Sequence, residues 1–181
     1  MILELISRLV VIGMIDTSSW KAFQISELFK IASPASRKIQ TYDVGNIPYV
    51  SSGAFNNGIV SFLSPKNGEF LEKGNCITVS PLDGTSFYQK SDFLGRGGAG
   101  SAISLLYNDK LTELSALFIC SIIKASASKY NYNDALTGNN LKFLQLKLPA
   151  TLDGQPDWQY MEDYMKSIMD KSEQIISDLQ I

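Results

Sequence analysis

Asn46-Ile47-Pro48-Tyr49 is the first stretch whose residue types could do chemistry. It stands one substitution from Asn-Pro-Pro-Tyr, with which amino-methyltransferases hold a flipped base. There the first side chain and a prolyl carbonyl accept hydrogen bonds from the target amine, and the aromatic ring stacks on the base. That chemistry also needs a cofactor half: a strand, a glycine-rich turn and an acidic residue on the next strand. Gly13 is the sole glycine before Gly45, so nothing upstream supplies the turn. The chain is also short for a methyltransferase with its cofactor fold. The competing reading is structural: Pro48 opens an edge strand and Tyr49 packs.

Gly95-Arg96-Gly97-Gly98-Ala99-Gly100 formally matches G-x-G-x-x-G. A dinucleotide site would need a helix N-terminus directly after it. The strand-like Ser101-Ala102-Ile103-Ser104-Leu105-Leu106-Tyr107 follows instead, which rejects that reading. Two readings stay open: a bland loop between strands, or a loop whose Arg96 reaches a nucleic-acid groove, with Gly97 and Gly98 permitting close backbone approach. Asn56, Asn57, Asn131, Asn133, Asn139 and Asn140 lie in polar loops beside Lys129, Tyr130 and Tyr132. Asparagine can make the bidentate adenine contact, and Tyr and Lys suit sugar and phosphate. Asparagine is also simply a good turn residue, and residue types alone favour that reading.

Other chemistries are closed off. The chain has no histidine, which removes Ser-His-Asp and Cys-His catalysis and His-ligated metals. Asp83, Asp92 and Asp134 are scattered, with no Pro-Asp…Glu-x-Lys nuclease pairing. Cys76 and Cys120 sit in apolar runs and read as buried free thiols. No catalytic residue, metal or cofactor is expected.

Length, 181 residues, suggests one domain with a short appendage, and 45% hydrophobic residues suffice for a packed core. No apolar run is long enough to span a bilayer. The opening residues 1–16 carry Glu4, Arg8 and Asp16 and lack a clear cleavage site, so no secretory leader is expected and a cytoplasmic location fits. Residues 1–152 hold 14 basic and 11 acidic residues, whereas residues 153–181 hold 2 and 7. A mildly basic body with an acidic tail could touch phosphates but would bind DNA weakly alone.

The elements that must position these residues follow from periodicity. Residues 2–14 are too uniformly apolar for a surface helix. Residues 20–31 read as a strand, a single helical turn capped by Ser26, and a second strand. Residues 33–46 are loop-like and carry Arg37 and Lys38. Residues 47–106 are short apolar runs with Gly, Asn, Ser and Asp punctuation, a β texture. Residues 111–124 predict an internal helix opened by Asn108 or Asp109. Its buried face is expected at Leu114, Leu117, Phe118, Cys120 and Ile122, against Ile77, Val79, Ile103 and Leu105. Residues 143–148 alternate as a strand. Thr151–Pro156 reads as a linker into a final helix over 157–180, with Pro156 in its first turn.

On that helix Trp158, Met161, Met165, Ile168, Ser172, Ile175 and Leu179 recur at three- and four-residue steps, a heptad stripe with one polar interruption. About 25 residues would extend about 37 Å. The helix either folds onto its own domain or projects as an arm, and the linker favours the arm. The fold class expected is α+β: a mixed or antiparallel β core with few helices and a C-terminal coiled-coil-like helix. The divisions are an N-terminal helical segment (1–19), a β-rich domain (20–152) and the helix (153–181).

Taken in order, four blocks carry a resemblance: residues 20–31, residues 45–63 (GNIPYVSSGAFNNGIVSFL), residues 75–93 (NCITVSPLDGTSFYQKSDF) and residues 129–149 (KYNYNDALTGNNLKFLQLKLP), followed by a helix. This order resembles the target recognition domain of type I restriction–modification specificity subunits, with related domains in type IIB and IIG enzymes. The resemblance covers about residues 20–180 and departs from the usual pattern at Ser80–Thr85 and in the extended Gly95–Gly100 loop. It implies a non-catalytic module that binds one half of a bipartite site on double-stranded DNA. It implies methyltransferase subunits, with or without a restriction subunit, as partners, with a second recognition domain or a homodimer mate paired through the terminal helix at Trp158, Met161, Met165, Ile168, Ile175 and Leu179. The DNA-facing residues expected are Arg37 and Lys38 on phosphates, with Ser51, Ser52, Asn56, Asn57, Arg96, Gly97, Gly98, Lys129, Tyr130, Asn131, Tyr132 and Asn133 in the loops. A methyltransferase fragment using Asn46–Tyr49 and a protein-interaction module are the alternatives.

Overall fold

The computed structural model describes residues 15–98, 102–127, 136 and 138–179. The expected strand–turn–strand entry is present as β1 (Lys21–Gln24), α1 (Ile25–Leu28) and β2 (Lys30–Ala32). The cap is not Ser26. Gln24 occupies the N-cap, and its backbone N–H donates to Glu27 Oε2 at 2.8 Å in a capping box. Burial of Ile25 and Leu28 holds this single turn, which is too short to persist alone.

Among the described residues the strands form three sheets. A central antiparallel sheet runs β2-β8-β5-β6, from β5 (Cys76–Val79), β6 (Ser86–Gln89) and β8 (Ser104–Tyr107). A smaller sheet runs β4-β3-β7, from β3 (Val44–Val50), β4 (Ile59–Leu63) and β7 (Leu94–Gly95), with β7 parallel to β3. The third pairs β1 with β9 (Gln145–Leu148).

Period 2 explains the layering. Every residue of β5 is buried, so both faces of the central sheet are covered. Ile77, Val79 and Leu106 face a helical layer. Cys76, Leu105 and Ile103 face the opposite way, with Val50 and Phe93 of the small-sheet side. The expectation that Ile103 and Leu105 pack under the internal helix is corrected: they lie on the other face, where alternation along β8 puts them.

The internal helix, α2 (Glu113–Ala127), begins later than expected. Thr112 and Ser115 cap it reciprocally: Thr112 N–H donates to Ser115 Oγ at 2.9 Å, and Ser115 N–H to Thr112 Oγ1 at 3.3 Å. Asn108 instead donates to the Leu28 carbonyl and accepts from Lys110 N–H, closing the turn before the helix. The buried face is Ser115, Ala116, Phe118, Ile119, Ile123 and Ala127. Leu117 is 40% exposed, so its assignment to the core is corrected. Leu114, Cys120 and Ile122 flank the buried stripe. A helix apolar nearly all round does not announce which face it buries.

A short turn, α3 (Gly138–Leu141), precedes β9, and α4 (Trp158–Leu179) closes the described chain. The segment before α4 is a closed loop: Thr151 N–H donates to the Gln155 carbonyl, Gly154 N–H to the Thr151 carbonyl, and Ala150 pairs with Pro156. Pro156 precedes the helix. Asp157 is its cap, accepting from Tyr160 N–H at 2.9 Å. The first half of α4 folds back onto its own domain. Met161 is fully buried, Trp158 meets Phe29 edge-on at 6.2 Å, and Tyr164 meets Phe118 at 5.7 Å. Beyond Ile168 the helix leaves the core: Met169, Ile176 and Leu179 are 45%, 55% and 63% exposed. The stripe expected to be one interface is thus two surfaces, with Trp158, Met161 and Met165 already used within the domain. None of the described helices is long and apolar enough to cross a membrane.

Candidate nucleic-acid interface

Strand β3 places Asn46–Tyr49 first. The Tyr49 ring is 3% exposed and packs with Leu63 and Leu94. A ring buried in that cluster offers no face to a flipped base, so the packing reading of Tyr49 holds. Pro48 does not open an edge strand as expected: it lies within β3, opposite Phe62, in the central strand of the small sheet. It precedes the two residues paired with β7, Tyr49 and Val50, so its missing N–H interrupts neither of those pairs.

Where β3 ends, three loops converge. The Arg96 N–H donates to the Val50 carbonyl at 2.8 Å, setting residues 95–98 beside Ser51. The Gly97 N–H donates to the Ala35 carbonyl at 3.1 Å, setting the same loop against residues 33–38. A Cβ on Gly97 would stand 1.9 Å from the Pro34 carbonyl oxygen, so only glycine permits this approach. Together these loops and β4 enclose a groove of about 450 Å³, whose lining includes Lys38, Gln40, Ser51, Ser52, Val60 and Arg96.

Arg37 also borders this groove, but it does not serve as the phosphate contact expected of it. Its side chain is 2% exposed. Nε donates to Glu69 Oε1 at 2.7 Å, and Nη1 donates to both oxygens of Glu72 at 2.7 and 2.8 Å. The remaining donors reach the Gly95 and Phe70 carbonyls. A guanidinium 2% exposed and held on all three nitrogens is not presented to a phosphate. Glu72 in turn accepts from Ala35 N–H at 3.1 Å and Gly95 N–H at 2.8 Å. One buried ion-pair cluster therefore ties residues 33–38 and 95–98 together and fixes the groove's rim. Burial works against charge on Arg37, but the Glu72 and Glu69 carboxylates outweigh it and raise its pKa. Burial would raise the Glu69 pKa; hydrogen bonds from Tyr42, Arg37 and the Lys66 backbone outweigh that and hold it below the ordinary glutamate value. Sequence reasoning missed Glu69 and Glu72, whose partner lies more than 30 residues away.

Lys38 is exposed and Arg96 half-buried, and neither side chain makes a hydrogen bond or ion pair among the described residues. Ser51 and Ser52 line the same groove, Ser51 buried and Ser52 half-exposed. Gly98 is exposed at φ +91. Asn56 and Asn57 have φ of 51 and 55, the left-handed region that asparagine tolerates. The Asn56 amide donates to the Ile59 carbonyl, while the Asn57 amide donates to the Tyr88 carbonyl and Gln89 Oε1. These two asparagines shape the turn. Lys129, Tyr130, Asn131, Tyr132 and Asn133 lie outside the described residues.

Comparison with known proteins matches residues 17–180 to the family described as type I restriction modification DNA specificity domain. The "Type II restriction enzyme BgcI specificity subunit S.BcgI" of Heyndrickxia coagulans is 30% identical over a 161-residue alignment that covers 84% of this chain and 44% of that protein. Among solved structures, the type I restriction–modification S subunit from M. genitalium superposes with a TM-score of 0.60 at 13% identity, covering 88% of this chain and 41% of the other. The HsdS subunit from Thermoanaerobacter tengcongensis gives 0.57 at 14% identity, covering 97% and 44%. At such identities the structural matches establish the fold. The chain spans less than half the length of these relatives.

Proposed function

The chain belongs to the type I restriction modification DNA specificity domain family, and on that premise we propose that it is a DNA target recognition module: it selects one half of a bipartite duplex site for partner methyltransferase subunits, with or without a restriction subunit, without catalysis of its own, in the cytoplasm. The observation that carries this reading is the groove where Lys38, Arg96, Ser51 and Ser52 converge. It presents two cations beside Ser51 and Ser52 on a rim fixed by the Arg37–Glu72 pair, which suits phosphate positioning and base-edge contact. The second part of the proposal concerns α4. Ile168, Met169, Ile175, Ile176 and Leu179 form an apolar stripe beyond the domain's own core, suited to pairing with another helix of the assembly or of a second copy. Such pairing would hold two recognition domains at a fixed separation.

Binding to duplexes with a randomised core, followed by fluorescence anisotropy at low salt, tests the first part. Enrichment of one sequence is expected, strengthened by a partner methyltransferase. Stoichiometric binding of S-adenosylmethionine by the isolated chain would point to the methyltransferase alternative and overturn the reading. For α4, Ile175→Lys with Ile176→Lys should abolish self-association in sedimentation while leaving the melting temperature near the parent's. A parent that sediments as a monomer at high micromolar concentration would count against self-pairing.

A further inference from the structure

Val60 is an exposed apolar side chain in a cationic groove whose other apolar lining, Ile39 and Tyr49, is more deeply buried. It is 55% exposed and projects from β4 into the lining shared by Lys38, Gln40, Ser52 and Arg96. Strand alternation accounts for its direction: Leu63 faces the core cluster with Tyr49 and Leu94, whereas Val60 and Phe62 stand on the outer face. Alternation does not account for its type, since a solvent-facing strand position beside two cations would ordinarily be polar. Scattered exposed valines need no explanation. This one sits in the concavity whose charges suit a polyanion.

Resting on the DNA-recognition reading, we propose that Val60 is a specificity-determining residue that reads a thymine through its C5 methyl group, on a base pair near the one contacted by Arg96. The chemistry selects this occupant. In the major groove the apolar group that a base edge presents is the thymine methyl, and small aliphatic side chains contact it. Valine has no ring to stack on an extruded base and no donor for a phosphate. Val60 and Arg96 line one and the same concavity. They therefore address the same or adjacent base pairs, and the half-site contains a thymine at or beside the base pair that Arg96 touches.

The test uses the 181-residue chain and the sequence enriched from randomised duplexes. Each thymine is replaced singly by deoxyuridine, which removes only the methyl group. Affinities are then measured for the parent, Val60→Ala and Arg96→Ala. One replacement should weaken the parent about fourfold, the effect of one buried methyl group, and should leave Val60→Ala unchanged. If every replacement affects parent and Val60→Ala alike, or the enriched sequence has no thymine, the assignment of Val60 is overturned while DNA recognition stands. If no sequence is enriched, the DNA-recognition reading falls and this inference with it. Val60→Ser, which removes both γ-methyl groups, provides the same comparison should Val60→Ala melt below the assay temperature.

Discussion

Arg37 and Arg96 border one groove and do different work. Arg37 is enclosed, each of its side-chain nitrogens held by a carboxylate or a carbonyl. Arg96 fixes its backbone to Val50 and leaves its guanidinium without an ionic partner among the described residues. Sequence treats the two alike, since each is an arginine in a polar, small-residue loop. The difference lies in what the rest of the chain brings to them. Glu69 and Glu72 arrive at Arg37 from a distant segment, and among the described residues no carboxylate pairs with Arg96. A cation can build a surface or be presented by it, and here the first holds the second in place.

The largest way to break this contrast is Arg37→Ala. It leaves two carboxylates, 17% and 10% exposed, without their counter-ion, and unfastens the loops that Glu72 joins. Breaking a buried pair by removing one partner costs about 3–5 kcal/mol. Denaturant melts should show a loss of that order, with DNA binding lost as a consequence of the collapsed rim. Arg37→Lys should recover only part, because an ammonium cannot reproduce the fork that serves Glu69, Glu72 and two carbonyls together.

Acid should weaken the same clamp. The folded-state Glu69 pKa lies below its ordinary value, so its contribution to stability is complete above the unfolded glutamate value and is lost as pH falls through the folded one. Stability should therefore decline below about pH 4.5 in the parent, and less steeply in Glu69→Gln, which no longer titrates there. Asp83, held at about 2 although burial alone would raise it, because Lys124, Thr85 and Ser80 hydrogen-bond to it, adds to the parent's decline at still lower pH. Equal pH slopes in parent and Glu69→Gln would show that the clamp does not couple to protonation.

Arg96→Ala should show the converse of Arg37→Ala: an unchanged melt and a binding loss of about 1–3 kcal/mol, with specificity relaxed at one position if it reads a base. Lys38→Ala should weaken all sequences alike and lower the salt slope by about one. A fall in melting temperature for Arg96→Ala comparable with that of Arg37→Ala would erase the distinction between the two arginines.

What was legible in the sequence was local. The strand–turn–strand at residues 20–31, the β texture of residues 47–106 and the terminal helix follow from short-range periodicity, and the structure has them. The convergence of Ser51, Ser52, Lys38 and Arg96 was legible only as membership of related loops; the parallel pairing of Tyr49 with Leu94 brings them together. The role of Arg37 was illegible because it depends on partners 32 and 35 residues away. The division of α4 was illegible for another reason. A heptad stripe records that a face is apolar, not what covers each turn, so Met161 and Leu179 look equivalent although one is fully buried and the other 63% exposed.

The smallest effect expected is at Leu117, where periodicity and composition misdirect. A leucine in the middle of an apolar helix invites the inference that truncation opens a cavity costing about 2–5 kcal/mol. That cost requires neighbours on all sides. Leu117 is 40% exposed and borders a shallow groove with Tyr88 and Lys90, while Ala116, Phe118 and Ile119 turn inward. Alanine there creates no enclosed void and has the higher helix propensity. Leu117→Ala should therefore change stability by less than about 1 kcal/mol, close to the effect of other surface substitutions. Ile119→Ala, two residues on and fully buried, should show the full cavity cost. The pair separates helix register from helix composition: if Leu117→Ala proves as damaging as Ile119→Ala, α2 is rotated from the position described, and with it the helical layer against which the central sheet, and through it the groove, is held.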